Sequence, residues 1–307
     1  MRQFNEDNLT EAVVSRLKKT KNPRVREIVT AAVKHLHAFA REVKLTEEEW
    51  FEGIKFLTAV GQKCDDKRQE FILLSDVLGL SMMIVSLNHR TVPGATEATV
   101  LGPFFAHGAK EFGYGADLRA GCTQKGEDVW VSGRVLELDK GGSPGKPIPN
   151  AVLDIWQAKA DGIYDVQTGG EFELRGRVKA NAKGEYAFAS YKPKFYSIPV
   201  DGPVGDLIRA TTHNHMRPAH MHAIVSAPGY QQVITHVFVE GDPHLDSDAV
   251  YAVKDSLIAK YKKVNDAAEA KKLGMPNPFL KLDWDFRLSP DKGVKARKKI
   301  AASDALA

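Results

Sequence analysis

The stretch MRPAHMHAIV, residues 216–225, sets the character of the C-terminal part of this chain. Met221–Val225 reads as a strand. Alternate side chains on a strand share a face, so His220 and His222 project together toward one point. Working outward, short apolar segments recur at Val129–Leu138, Ala151–Gln157, Tyr186–Ser190 and Val233–Val239, separated by Gly and Pro. The turn-rich segment GGSPGKPIPN, residues 141–150, divides the first two. No strand–helix alternation accompanies them, so the expectation is an antiparallel β-sandwich rather than a parallel sheet. A helical element is expected at Asp248–Tyr261.

Before residue 93 the pattern is helical. Asn8 or Thr10 can cap a segment with Leu9, Val13, Val14 and Leu17 at helical spacing. Ile28, Val29, Ala32, Val33, Leu36 and Phe39 mark a second helix after Pro23. Thr46 and the three glutamates that follow form a capping box that opens a third, with Trp50, Ile54, Phe56, Leu57 and Val60 on its inner side. A fourth is expected from about Lys67 to Leu87, carrying Phe71, Leu74, Leu78 and Met82. The fold class is therefore mixed and mainly β. It comprises an all-helical N-terminal domain (1–92), a β-sandwich domain (93–290) and a basic C-terminal tail (291–307).

Composition bounds the function. The 307 residues are 43% hydrophobic and 27% charged, an ordinary globular balance able to bury a sizeable core. The net charge of +4 is spread along the chain. Lys292–Lys299 is basic but has no interleaved aromatics, which argues against a nucleic-acid partner. Two distant cysteines, Cys64 and Cys122, fit a reducing compartment and exclude a thiolate metal cluster. The polar N-terminus is not a signal peptide, and no apolar run approaches the ~20 residues of a membrane span. A soluble, cytoplasmic protein is expected.

Taken alone, a His-x-His pair on a strand is either a hydrogen-bonded pair or two metal ligands. HExxH is absent, and no Asp or Glu shows ligand spacing to the pair. Tyr164, just beyond a strand, and Tyr196, in a Pro-rich loop, are either buried phenols with a hydrogen-bonded hydroxyl or phenolate ligands. A phenol ionises near pH ~10, so ligation needs a strongly stabilising cation such as ferric iron. Spacing does not choose these two from the eight tyrosines.

Several motifs together resemble the intradiol ring-cleavage dioxygenases, the catechol and hydroxyquinol 1,2-dioxygenases. They are KRQEFILLSD (67–76), VLGPFF (100–105), LDIWQAKADGIY (153–164), FYSIPVDGPVG (195–205) and RPAHMH (217–222), and the resemblance covers roughly residues 8 to 290. The resemblance implies one Fe(III) per subunit held by Tyr164, Tyr196, His220 and His222. It implies cleavage of an aromatic diol by O2 between its hydroxyls, with Tyr196 leaving the metal as a neutral phenol. Ser197 departs from the proline usual at that position.

Arg217, otherwise an ordinary strand-end arginine, matches a pocket cation that stabilises charge on the reacting diol. His236 falls where a polar residue supports the ligands. Leu73, Asp76, Val100, Pro103, Phe104 and Val250 match pocket positions. Asp76 would accept a hydrogen bond from a third ring hydroxyl, where an unpaired aspartate would instead be expected on a helix surface. With His236 and the run GDPHLDSDAV (241–250), it favours hydroxyquinol over catechol. The resemblance also implies a homodimer through the N-terminal helices, with a lipid-like molecule at their interface. Competing classes are a zinc protein built on His220 and His222, and a non-catalytic β-sandwich binding module.

Overall fold

Capping chemistry starts two of the N-terminal helices; the first begins after Asn8, but the Asn8 side chain accepts from the amide of Asn5 and caps nothing, and Thr10 lies inside the helix. The computed structural model describes residues 3–65, 68–89, 92–139, 141–169, 172–211 and 213–291. Helix α1 is Leu9–Leu17, α2 is Pro23–Glu42 and α3 is Glu47–Gln62. The Asn22 side chain accepts from the amides of Arg24 and Val25 at the start of α2. At α3, Thr46 and Glu49 exchange side-chain-to-amide bonds of 2.9 and 3.2 Å, closing the expected capping box. The chain forms two compact units, residues up to 58 and residues 59–291, so α3 crosses the division.

The expected fourth helix is two helices, α4 (Glu70–Val77) and α5 (Leu80–Asn88), bent by 79°. Gly79 causes the break, because it adopts a left-handed φ of 72° that ends the α-helical ladder. Both helices belong to the second unit. The compact units therefore divide earlier than the helix-to-strand change near residue 93. Leu73, Leu74, Val77 and Met82 are buried, and Glu70 accepts the amide of Val204 at 3.2 Å. Among the described residues, no single helix is long and apolar enough to cross a membrane. The basic tail lies outside the described residues from 292 onward.

The second unit continues as β1 (Glu111–Phe112), β2 (Ala116–Asp117), β3 (Asp128–Leu138), β4 (Pro144–Pro147) and β5 (Val152–Gln157). A short α6 (Asp165–Thr168) precedes β6 (Arg175–Lys179), β7 (Glu185–Tyr191) and β8 (Tyr196–Ser197). Then come α7 (Pro203–Thr211), β9 (Met216–Arg217), β10 (His220–Ser226), β11 (Val233–Val239), β12 (Ile258–Ala259) and β13 (Lys262–Val264). Helix α8 (Ala267–Leu273), β14 (Phe279–Asp283) and β15 (Phe286–Leu288) complete it.

One sheet has the order β1-β6-β5-β10-β11-β12; the other runs β13-β14-β3-β7-β2, with β4 and β15 also on β3. The central pairs are antiparallel, as expected, but β1, β2, β12, β14 and β15 join in parallel. Those strands reach their partners from distant parts of the chain, which permits parallel pairing. The two sheets share one core. Val129, Val131 and Phe188 on one side meet Leu153, Ile155, Met221, Ala223 and Val225 on the other. Each such fully buried side chain contributes about 1.5–3 kcal/mol.

The helix expected at Asp248–Tyr261 is absent. In its place are a 3-10 turn at Asp255–Leu257 and the strand β12. Asp248 explains the difference, since its carboxylate accepts from the amides of Val250 and Ala252 and holds the backbone in a turn.

Candidate metal centre and active site

Strand parity builds the site. On β10, Met221, Ala223 and Val225 enter the core, so His220 and His222 face the opposite side of the sheet. Trp156 on β5 and His236 on β11 stand directly opposite His222. The rings pack as a row: Trp156 is stacked on His222 at 4.5 Å, and His236 lies at 4.2 Å on its other side. All three histidines are buried, and their ring nitrogens cluster within 4.8 Å.

Two loops bring phenols to this row. Tyr164 lies between β5 and α6, and its Oη is 3.0 Å from His222 Nε2 and 3.3 Å from His220 Nε2. Tyr196 is held by the β8–β9 ribbon opposite Arg217, with its Oη 3.4 Å from that of Tyr164. The two Nε2 atoms are 3.2 Å apart. Donors about 2.1 Å from one ion, separated by 90–120°, would lie about 2.9–3.6 Å from each other. The four atoms therefore fit a single small cation.

Their chemistry agrees with that fit. His220 Nδ1 lies 2.7 Å from the carbonyl of Pro218, which can only accept, so the proton sits on Nδ1 and the Nε2 lone pair faces the site. Burial holds both imidazoles well below the usual histidine range, for His220 with help from Arg217 and for His222 from His220 and Arg217. Both rings are therefore neutral and able to act as donors to a cation. Burial pushes the Tyr164 phenol well up, and Tyr196 adds to this through charge and hydrogen bonding. Without a cation the phenol stays protonated; a bound ion would reverse that balance.

Arg217 is buried beside these atoms. Its Nη1 is 3.4 Å from Tyr196 Oη and 3.2 Å from His220 Nε2, while Nε reaches Asp248 at 3.0 Å. Burial alone would weaken its charge; Asp248 outweighs this and keeps the guanidinium protonated. Asp76 is buried as well, one helical turn beyond buried Leu73, and not on a helix surface. Burial raises its carboxyl above the ordinary range; Ser81 and Arg217 offset part of this and Asp248 adds to it.

Segment 100–105 passes over the histidine row. A Cβ on Gly102 would come within 3.2 Å of His222 Cε1, which leaves no slack for a side chain. Phe104 stacks on Tyr164 at 4.5 Å. Val100 and Val250 are buried and Pro103 is half-buried. His236 Nδ1 meets Thr99 Oγ1, and its Nε2 has no protein partner.

Sequence reasoning missed Asp248 as the partner of Arg217, and also Thr99, Trp156, Asp165 and Arg175. Asp248 fell inside the quoted run 241–250, but no spacing tied it to Arg217. A cavity of about 970 Å³, lined by residues such as Glu97, Arg134 and Trp284, contains none of the site residues.

A family model described as "Dioxygenase" matches residues 100–290, and one described as "Catechol dioxygenase N terminus" matches residues 22–96. The chain is 48% identical over 292 residues to a 6-chlorohydroxyquinol 1,2-dioxygenase of Cupriavidus pinatubonensis, covering 94% of this chain and 99% of that one. It is 45% identical to a hydroxyquinol 1,2-dioxygenase of a Rhizobium species, covering 93% and 96%. The solved hydroxyquinol 1,2-dioxygenase of Pseudomonas putida superposes with a TM-score of 0.84 at 43% identity, covering 93% of this chain and 98% of that one.

Proposed function

This chain belongs to the intradiol dioxygenase family, and from that premise we propose that it cleaves hydroxyquinol with O2. Ring opening falls between the vicinal hydroxyls and yields 3-hydroxy-cis,cis-muconate, the tautomer of maleylacetate. The observation that carries the reading is the convergence of the Tyr164, His220 and His222 donor atoms at 3.0–3.3 Å, with Tyr196 Oη 3.4 Å from that of Tyr164. Two neutral imidazoles with two phenols form a hard, anionic donor set once the phenols ionise, which suits Fe(III). When bound, that ion supplies Lewis acidity: it acidifies the diol and draws electron density from the ring toward reaction with O2.

The protein's own groups do the rest. Tyr196 takes a proton from the incoming diol at its Oη and so vacates space for a substrate oxygen. Arg217 presents a fixed charge from Nη1, held by Asp248, and favours the anionic diol over the neutral one. Phe104, Val100 and Val250 wall the ring and exclude water. Asp76, near Arg217, accepts the third hydroxyl of hydroxyquinol. Catechol lacks that group and would leave a buried carboxylate unpaired. His236 supports His222 from the neighbouring strand.

The exposed apolar residues of the N-terminal unit, including Leu36, Phe39, Trp50 and Phe51, suit burial against a second copy of the chain, with a lipid-like molecule between. A monomer in solution scattering would count against that partner. Two free cysteines and the lack of any membrane-length helix among the described residues support a cytoplasmic setting.

The test is O2 uptake by purified protein with hydroxyquinol, catechol and 4-chlorocatechol, alongside iron content and the visible spectrum. The expected result is a red-brown tyrosinate–iron band that shifts on diol binding, with hydroxyquinol turned over fastest. A colourless protein that consumes no O2 with any diol would sink the reading.

A further inference from the structure

We infer that Arg175 is a positioning residue for the metal centre: through Asp165 it fixes Tyr164, and by a direct bond it fixes the Phe104 segment, to the sheet that carries the histidines. This inference rests on the reading of Tyr164 as a ligand. The geometry begins with the sheet register. Arg175 on β6 stands opposite Trp156 on β5, and Trp156 stands opposite His222 on β10. Residues directly opposed across a ladder share a face, so Arg175, Trp156 and His222 form one row.

The guanidinium is fully buried and uses its fork in two directions. Nε and Nη2 donate to the Asp165 carboxylate at 2.8 and 2.6 Å. Asp165 directly follows Tyr164, so this pair fixes the backbone that carries the phenol. Nη2 also donates to the Phe104 carbonyl at 2.8 Å. The Phe104 ring lies against Tyr164 at 4.5 Å and edge-on to Tyr196 at 6.4 Å. Two loops that are remote in sequence are thereby tied to one strand. Tyr164 is held from its backbone on one side and across its ring on the other.

A planar, bidentate donor is needed for this arrangement; an ammonium at the same place cannot span a carboxylate and a carbonyl with fixed angles. A pair that served stability alone would be replaceable by packed apolar groups. This one joins the ligand-bearing loop to the ligand-bearing sheet, where a loss of geometry would be felt by the metal.

The test compares the wild type with Arg175→Lys, Arg175→Met and Asp165→Asn. Iron affinity is measured by chelator competition, the phenolate–iron band in the visible, and amide hydrogen exchange on iron-free protein. In Arg175→Lys and Asp165→Asn, iron affinity should fall about 10- to 100-fold with a displaced band. In Arg175→Lys exchange should quicken together in 100–105 and 164–168, and in Asp165→Asn chiefly in 164–168, while the core strands stay protected. The inference is overturned if these two variants keep the band and affinity of the wild type, whatever their melting temperature, or if only one loop loosens in Arg175→Lys. Should Arg175→Met fail to fold, the two conservative variants decide the matter. The exchange result separates this inference from the functional reading. A wild type that binds no iron refutes the ligand assignment, and paired loosening of the two loops would still establish the clamp.

Discussion

Two buried arginine–aspartate pairs flank the same donor cluster, and they are put to different uses. In Arg175–Asp165 the guanidinium binds a carboxylate and a backbone carbonyl through Nε and Nη2. In Arg217–Asp248 one edge is bound by the carboxylate while Nη1 faces Tyr196 Oη and His220 Nε2. The partner's position decides which edge of the fork stays available. A buried ion pair is thus a structural clamp in one case and a held charge in the other.

The largest expected effect comes from removing what both pairs serve. Tyr164→Phe or His222→Ala should abolish iron binding, visible colour and turnover together; a variant that loses one and keeps the others would break the site as drawn. Next comes the contrast itself. Arg175→Met and Arg217→Met should each destabilise the fold by about 3–5 kcal/mol, because each strands a buried carboxylate. At full iron loading, only Arg217→Met should lower kcat by about 10²–10³-fold, as expected when a charge aimed at the reacting group is lost. Equal losses of kcat in the two variants, measured by O2 uptake, would erase the distinction.

Asp76→Asn sharpens the comparison from the substrate side. A hydrogen bond to a charged group is worth about 1.5–3 kcal/mol, so the preference for hydroxyquinol over catechol should fall by roughly tenfold or more. The same variant carries a pH signature. Burial raises the Asp76 carboxyl above the ordinary value of about 3.9, so the folded state binds a proton that the unfolded chain releases. Wild-type stability is therefore lost as pH rises through that window. Asp76→Asn should raise the melting temperature at pH 7 and do so less at pH 4. The smallest effect lies outside both pairs. Gly79→Ala should destabilise by about 1–2 kcal/mol from its left-handed φ, since an added Cβ would meet only Tyr251 at an ordinary 3.5 Å.

Legibility followed the range of the interactions. The capping box of Thr46 and Glu49 and the strand Val233–Val239 were readable because their causes lie within a few residues. The expected helix at Asp248–Tyr261 failed because Asp248 folds its own backbone into a turn while binding Arg217, 31 residues earlier in the chain. Asp76 owed its pocket reading to the resemblance alone, because nothing local shows that this part of α4 is buried. Arg175 carried no signal at all, since its meaning depends on a sheet register and two distant loops.

Alone, the sequence determined that His220 and His222 share one face, because strand alternation is a local property of the backbone. It also determined, through motifs held in common with a family, that Tyr164 and Tyr196 belong with them. Only the tertiary structure decided how Tyr164, His220 and His222 come within 3.0–3.3 Å of one another, with Tyr196 at 3.4 Å from Tyr164, and which arginine faces them. Those distances arise where loops cross a packed sheet, and burial there sets the protonation of the donor groups.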